Sequence, residues 1–443
     1  MTTKDKVIHN AKWIMLCKGA QALLQLVVGL LCVRYLGPSN YGLLSYAKSA
    51  VAFAIPVMQL GLDETLVREL TEWKTRQGEV LGTALLLRLL SGSICAGILC
   101  AFVAVLNPRE PVTLAVTALY SLSLLFRSGE AIGLWFQSGL RSKIPEAIAL
   151  GAYGLISAFR IFLLHAGKSV LWFALAGALE FGLVSALLLI AYKSCCSQRI
   201  RFSWNTAKQL LGRSRYYVLA AFPVVAFQNL DHLMLKSMAG QQETGLYAAA
   251  ITCTVVVQFG YLAIVDSARP VILDRKQRDN KAYEDSISRL YGIIFYLAAA
   301  QGIVFFLLAK PMLGLLYGEA FLTAVPVLRI LAFQPPLSYL GTVRNIWILA
   351  EGKYQRLPVI NLLGLGVNGM MNVLLIPRWG ACGAAAATVV TQFFTNVLVG
   401  FLLPDIRPNN RLLLAGLRPA RVWTTLRSLK DNVNNLKQKE DIT

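Results

Sequence analysis

Charge is what this sequence lacks. Only 15% of its 443 residues are Asp, Glu, Lys or Arg, against 56% hydrophobic, and that is too little polar surface to coat a water-soluble globule of this size. The deficit implies lipid as the solvent. Acids are scarcer still, 23 against 43 Lys and Arg, for a net charge of +20. A balance of that sign also suits nucleic acid, so the positions of the bases decide between the two. Alternation of apolar and polar residues is missing from the long runs, which excludes a transmembrane barrel, the other structure that satisfies its backbone in hydrocarbon. No small-x-small cleavage site follows the first apolar run, and Lys18 interrupts it. That run therefore reads as an uncleaved first helix and not a signal peptide. The eight cysteines are scattered, most of them within apolar runs, with Cys195 and Cys196 in a basic loop. This pattern predicts no disulfide and no metal site.

What is present is a succession of apolar runs, each long enough to cross about 30 Å of hydrocarbon. They lie near 13–33, 43–62, 80–105, 112–136, 146–165, 169–192, 216–239, 246–268, 290–309, 325–349, 357–376 and 381–403. The expected fold is an all-α membrane protein of twelve transmembrane helices. Orientation follows from the loops, because Lys and Arg are retained on the cytoplasmic side. With both termini in the cytoplasm, the cytoplasmic segments hold 30 basic residues and the opposite face five, Arg34, Arg109, Lys168, Lys310 and Arg378. The +20 is thus mainly an orientation signal, and nucleic acid is not an expected partner. From Pro404, bases alternate with Leu412, Leu417, Val422, Leu426 and Leu429. That suits either a helix on an anionic leaflet or a solvated tail.

The two halves resemble each other. A shift of 203 residues brings Gln25 onto Gln228, Gly37 onto Gly240, Gly42-Leu43 onto Gly245-Leu246, Ala47 onto Ala250 and Asp63 onto Asp266. A shift of 213 brings Gly139 onto Gly352, Lys143 onto Arg356, Pro145 onto Pro358, Gly151 onto Gly364 and Gly167 onto Gly380. An even helix offset makes equivalent helices run the same way, giving a parallel internal repeat about an axis along the membrane normal. The expected organisation is two six-helix lobes, 1–192 and 216–403, an inter-lobe linker at 193–215 and a basic tail at 404–443.

Eight basic residues fall within the runs: Lys18, Lys48, Arg88, Arg127, Arg160, Lys236, Arg329 and Arg344. Each is costly in hydrocarbon and is expected to meet a partner or a wet cavity. Lys48, Lys236 and Arg329 lie near outer ends, from which a long side chain reaches the interface. Arg127 has Glu130 one turn away, and Arg160 can meet Glu180 on the next helix. Lys18 and Arg88 have no acid one turn away and are expected to line a cavity, while Arg344 precedes the polar Asn345. Lys18, Gln21 and Gln25 share one helix face, as do Gln228, Asp231 and His232. A cavity lined in this way would bind an anion, most simply a phosphate or diphosphate. Asp231 with His232 reads either as carrier of a coupling proton or as a satisfied structural carboxylate. Pro56, Pro223 and Pro335-Pro336 interrupt spans and permit bending, while Gly364, Gly366, Gly369 and the run from Gly380 to Ala387 suit close helix packing.

The segment Arg34 to Ala47, RYLGPSNYGLLSYA, followed by Gln59-Leu-Gly-Leu62 and Arg68-Glu69, is similar to the first two helices of bacterial polysaccharide repeat-unit flippases. Asn372 to Pro377 with Gly380, Gly383-Ala384-Ala385 and Ala387-Thr388 resembles the family's helix 11–12 junction, and Asn345 with Gly352-Lys353 its helix 10 ending. The resemblance, to the polysaccharide-transporter branch of the multidrug/oligosaccharidyl-lipid/polysaccharide exporter superfamily, covers nearly all of the first 403 residues. It implies a transporter and not an enzyme, carrying undecaprenyl-diphosphate-linked oligosaccharide to the periplasmic leaflet of the bacterial inner membrane for O-antigen, lipopolysaccharide or related polysaccharide assembly. It implies alternating access, a polysaccharide polymerase and chain-length regulator as partners, and no cofactor beyond H+ or Na+ as coupling ion. Expected substrate-binding residues are Lys18, Arg88, Arg127, Arg344, Arg160, Gln21 and Gln25; expected ion-coupling residues are Asp231, Asp63 and Asp266. Two alternatives stand beside this. A cation-coupled multidrug exporter calls for buried acids that dominate its cavity. A membrane polymerase or glycosyltransferase on the same lipid carrier calls for a large outer loop or paired acids.

Overall fold

Lipid exposure governs how these helices are built. In Gln77–Leu106, the residues Arg88, Gly92, Cys95, Leu99 and Val103 are buried along one stripe, while Leu90, Ile94 and Val105 are exposed along another. Both stripes follow the helical repeat and both are apolar apart from Arg88, so only packing distinguishes the inside of the helix from its lipid face. A soluble protein would not leave an outward row of this kind uncovered.

The computed structural model describes residues 3–196, 198–256 and 258–418. These are helical nearly throughout, and among the described residues there is no strand. The apolar tail positions Val422, Leu426 and Leu429 lie outside the described residues. Among the described residues, seven helical stretches are long and apolar enough to cross a membrane, or up to nine if each bent pair is counted as one span. Two of the seven far exceed a single crossing: Met15–Glu72, at 58 residues, and Arg356–Leu402, at 47. At 1.5 Å per residue they would measure about 87 and about 70 Å if straight, against about 30 Å of hydrocarbon.

The chain divides into two compact units. The first contains α1 (Thr3–Gln59), α2 (Leu62–Glu72), α3 (Gln77–Leu106), α4 (Pro111–Phe126), α5 (Glu130–Ser138), α6 (Lys143–His165), α7 (Val170–Cys195) and α8 (Trp204–Ala239). It runs to Gly245 and takes in Leu316–Ala320. Inside α1, Gly37 leaves helical space at φ 68° and ψ 175°, so two helices meet there. Glycine reaches that conformation without strain, and Pro38, with its fixed φ and missing N–H, suits the first position of the helix that follows. Gly240 repeats the geometry between α8 and α9 (Gln241–Val256), at φ 90° and ψ 177°. In α8 a bend of 44° falls between Leu219 and Ala221, at the carbonyl that Pro223 cannot serve for want of an N–H. The unit's core includes Leu62, Leu66 and Leu70 of α2 against Ala131, Ile132 and Phe136 of α5.

The second unit holds the rest: most of α9, α10 (Gln258–Arg278), α11 (Asn280–Tyr317), α12 (Val325–Leu331), α13 (Gln334–Ala350), α14 (Arg356–Phe393), α15 (Val399–Leu402) and α16 (Arg407–Gly416). Pro335 and Pro336 open α13, and the chain bends by 47° there. Gly380 splits α14 at φ 53°. A π-helical turn, Phe394–Leu398, joins α14 to α15. Such a turn leaves carbonyls outside the regular helical ladder, and two of them are taken by side chains. Arg344 Nη1 donates to Thr395 O at 2.6 Å, and Asn410 Nδ2 donates to Val397 O at 2.7 Å.

Residues 407–416, grouped by sequence with a basic tail, pack within the second unit. Asn409, Asn410, Leu413 and Gly416 are buried, and Tyr291 donates to Asn409 at 2.8 Å. The sequence pattern of bases and leucines gave weight to the exposed arginines, whereas two buried asparagines dock the helix.

Candidate functional site

Four of the intramembrane bases of the first unit form a polar string. Arg160 on α6 and Glu180 on α7 meet at 2.9 Å, and Arg160 also donates to Tyr153 at 3.4 Å. Arg127 pairs with Glu130 at 3.2 Å and lies 4.3 Å above the ring of Phe181. A break in the helix sets up this second pair. Residues Arg127–Gly129 form a 3-10 turn between α4 and α5, Ser185 donates to the carbonyl of Phe126, and a Cβ on Gly129 would lie 2.4 Å from Ser185. Arg88, buried on α3, is bonded to Asp63 in the first turn of α2, where the helix dipole favours a carboxylate. The Arg88, Asp63 and Arg127 charges all act on Glu130, linking two of the pairs.

Lys48 completes the string. It lies within electrostatic range of Arg160, Glu180 and Cys32. Ala47, Ser49 and Ala50 around it are buried, while Lys48 itself is exposed. Its side chain therefore faces an opening in an otherwise packed stretch of α1. Its neighbours Ala47, Ser49 and Ala50 are small, as suits close helix packing on either side of it. Lys48, Arg88, Arg127 and Arg160 against Asp63, Glu130 and Glu180 leave the string one positive charge in excess.

Other expected site residues lie elsewhere. Lys18 is exposed and stands 3.6 Å from Glu146. Gln21 is half-buried and Gln25 exposed on the first part of α1. Arg344 belongs to the second unit, buried between α13 and the π turn, with Nη1 also 3.0 Å from Asn396 Oδ1 and Nη2 3.2 Å from Asn345 Oδ1. The three aspartates differ in their surroundings. Asp63 is bonded to Arg88, Asp231 is buried on α8, and Asp266 on α10 is exposed, 4.0 Å from Arg269. At the mouth of α2 a cleft of about 380 Å³ is lined by Asp63, Glu64, Arg68, Glu72, Leu134 and Gln137 among others.

At the loop between α3 and α4, Lys236 of α8 is bonded to Glu110 and Asn107. The Lys236 ammonium, together with the Thr113 hydroxyl, holds the Glu110 carboxyl below the usual carboxylate range.

These features define a multi-pass helical membrane protein with a cationic string inside its first unit. Its fold is that of solved multidrug and lipid transporters. An inward-facing multidrug resistance MATE transporter of the MOP superfamily superposes with a TM-score of 0.65 at 16% identity, covering 89% of this chain and 95% of that one. The lipid II flippase MurJ in an inward closed conformation superposes at 0.63 and 12% identity, covering 91% and 90%. By sequence, residues 7–274 match the family model described as polysaccharide biosynthesis protein, and the chain belongs to that family. The resemblance read from Arg34–Ala47 is therefore borne out. The capsular polysaccharide biosynthesis protein CapF of Staphylococcus aureus is 21% identical over 399 residues, 87% of this chain and 96% of the relative. The probable low-salt glycan biosynthesis flippase Agl15 of Haloferax volcanii is 24% identical over 202 residues, 44% and 42%.

Proposed function

We propose that this protein is a flippase that moves undecaprenyl-diphosphate-linked oligosaccharide repeat units from the cytoplasmic to the periplasmic leaflet by alternating access, for O-antigen or related surface polysaccharide. The observation that carries this reading is the charge state of the string. Each of its carboxylates faces an arginine, and the charge left over is positive. A site so composed favours an anionic headgroup such as a diphosphate. A cation-coupled drug exporter shares the fold, but it calls for carboxylates in excess of bases, which this string lacks. Family membership supports a polysaccharide pathway, in which a polymerase and chain-length regulator would be the partners. Transport needs no covalent chemistry and no cofactor.

Twelve spans, with both termini cytoplasmic in an inner membrane, fit this reading. The over-long stretches Met15–Glu72 and Arg356–Leu402 each contain a break at a glycine, Gly37 and Gly380. The internal repeat draws support from backbone geometry: Gly37 and Gly240, and likewise Gly167 and Gly380, all have positive φ. Of the three aspartates, Asp63 is already held by Arg88 and Asp266 is exposed. Asp231, buried beside His232, is the candidate for coupling to H+ or Na+.

The test is reconstitution of the full chain in vesicles with a fluorescent undecaprenyl-diphosphate oligosaccharide, following the fraction open to a membrane-impermeant quencher. Protein-dependent equilibration between leaflets is expected. An unchanged protected fraction, with energised efflux of a cationic dye from the same vesicles, overturns the reading in favour of drug export. Topology is tested separately by periplasmic labelling of single cysteines at Lys168 and Asn205; labelling at 205 alone would reverse it.

A further inference from the structure

Eight bases lie within the apolar runs, and the structure accounts for seven of them. Five face carboxylates within ion-pair distance. Arg344 is bonded to a carbonyl and two amide oxygens. Arg329 is exposed and lies 5.5 Å from the centre of the Phe306 ring. Lys48 remains. Among the described residues it forms no ion pair and no hydrogen bond, although Arg160, a second cation, stands nearby.

Two cations near each other in a membrane-spanning unit repel, and Glu180 offsets only one of them. An anion beside them would offset the second. Lys48 is accessible for that, while its helix is held by the burial of Ala47, Ser49 and Ala50. An ammonium offers three donors on a flexible stem and binds phosphate as a point charge. We propose that Lys48 is the anchor for a phosphate oxyanion of the transported lipid headgroup, a specificity-determining residue that selects charged carrier lipid over its uncharged alcohol. This rests on the flippase reading above. Arg160 acts beside it, oriented by Glu180 and Tyr153.

The role differs from a structural one in a measurable way. Lys48 makes no contact that its removal would break, so Lys48→Gln is expected to leave the unliganded protein as stable as the parent or slightly more so.

The test uses the full-length protein purified in detergent, with geranylgeranyl diphosphate and the uncharged geranylgeraniol as probes, and thermal midpoint as the readout. The diphosphate is expected to raise the midpoint of the parent, and the alcohol is not. Lys48→Gln is expected to need about tenfold or more diphosphate for the same shift, and Lys48→Arg to retain most of the affinity. A Lys48→Gln titration that overlays the parent overturns the role of Lys48 and leaves the flippase reading standing. An unliganded Lys48→Gln midpoint far below the parent also overturns it, because the residue would then be structural. Failure of the parent to respond to diphosphate, together with dye efflux in vesicles, overturns the flippase reading and this proposal with it.

Discussion

Gly42 and Gly245 pack backbone against backbone. A Cβ on Gly42 would lie 1.8 Å from the carbonyl oxygen of Gln241, and one on Gly245 would lie 1.9 Å from that of Pro38. Neither partner is a side chain that can swing aside. Gly42→Ala and Gly245→Ala are each expected to cost about 1–3 kcal/mol through overpacking, read as a lowered thermal midpoint of the solubilised protein. Gly97→Ala is the control. It has nothing within 4 Å and gains helix propensity, so its midpoint should hold or rise.

The Arg88–Asp63 pair is asymmetric. The Arg88 side chain is 1% exposed and that of Asp63 is 43% exposed. Asp63→Ala strands a buried guanidinium, whereas Arg88→Met leaves a carboxylate that reaches water. Breaking a fully buried pair costs about 3–5 kcal/mol; access of Asp63 to water reduces that here. The expected order of thermal midpoints is parent, then Arg88→Met, then Asp63→Ala. The reverse order would contradict the burial assigned to Arg88.

Glu110 predicts a pH dependence. Lys236 holds its carboxyl below the usual value of about 4.3, so the folded state binds that proton less readily than the unfolded chain does. The stabilisation is present above the unfolded value and is lost as pH falls through the lowered folded one. The midpoint difference between the parent and Glu110→Gln should therefore be largest near neutrality and should close in acid. Glu110 is half-exposed, so the difference is small and should shrink further in high salt.

Asn410 ties α16 to the π turn. Its Nδ2 serves Val397 O, and its Oδ1 lies against Gly400, where a Cβ would stand 2.0 Å away. Asn410→Ala is expected to destabilise by about 1–3 kcal/mol, because the freed carbonyl is left unsatisfied. Amide hydrogen exchange should quicken over residues 394–417 before it changes in α3. Uniform quickening would show that α16 does not act locally.

Composition and the length of the apolar runs determined the solvent and the helical class, and a local resemblance of residues gave the family. Apolar runs must be helical where no water can serve the backbone, and the motif at Arg34–Ala47 is a local string that needs no fold to be read. Residues one turn or one helix apart were legible for the same reason, as Arg127 with Glu130 and Arg160 with Glu180 illustrate.

Tertiary structure decided which bases stay neutralised. Arg88 looked unpartnered because Asp63 is 25 residues away, and Lys236 looked free because Glu110 is 126 residues away. In lipid both faces of a helix are apolar, so the sequence pattern that marks a buried stripe in water is missing. Lys48 shows the consequence most plainly: its one-dimensional position suggested an interface, and only the packing of its neighbours and the pairing of every nearby acid made it the cation in excess.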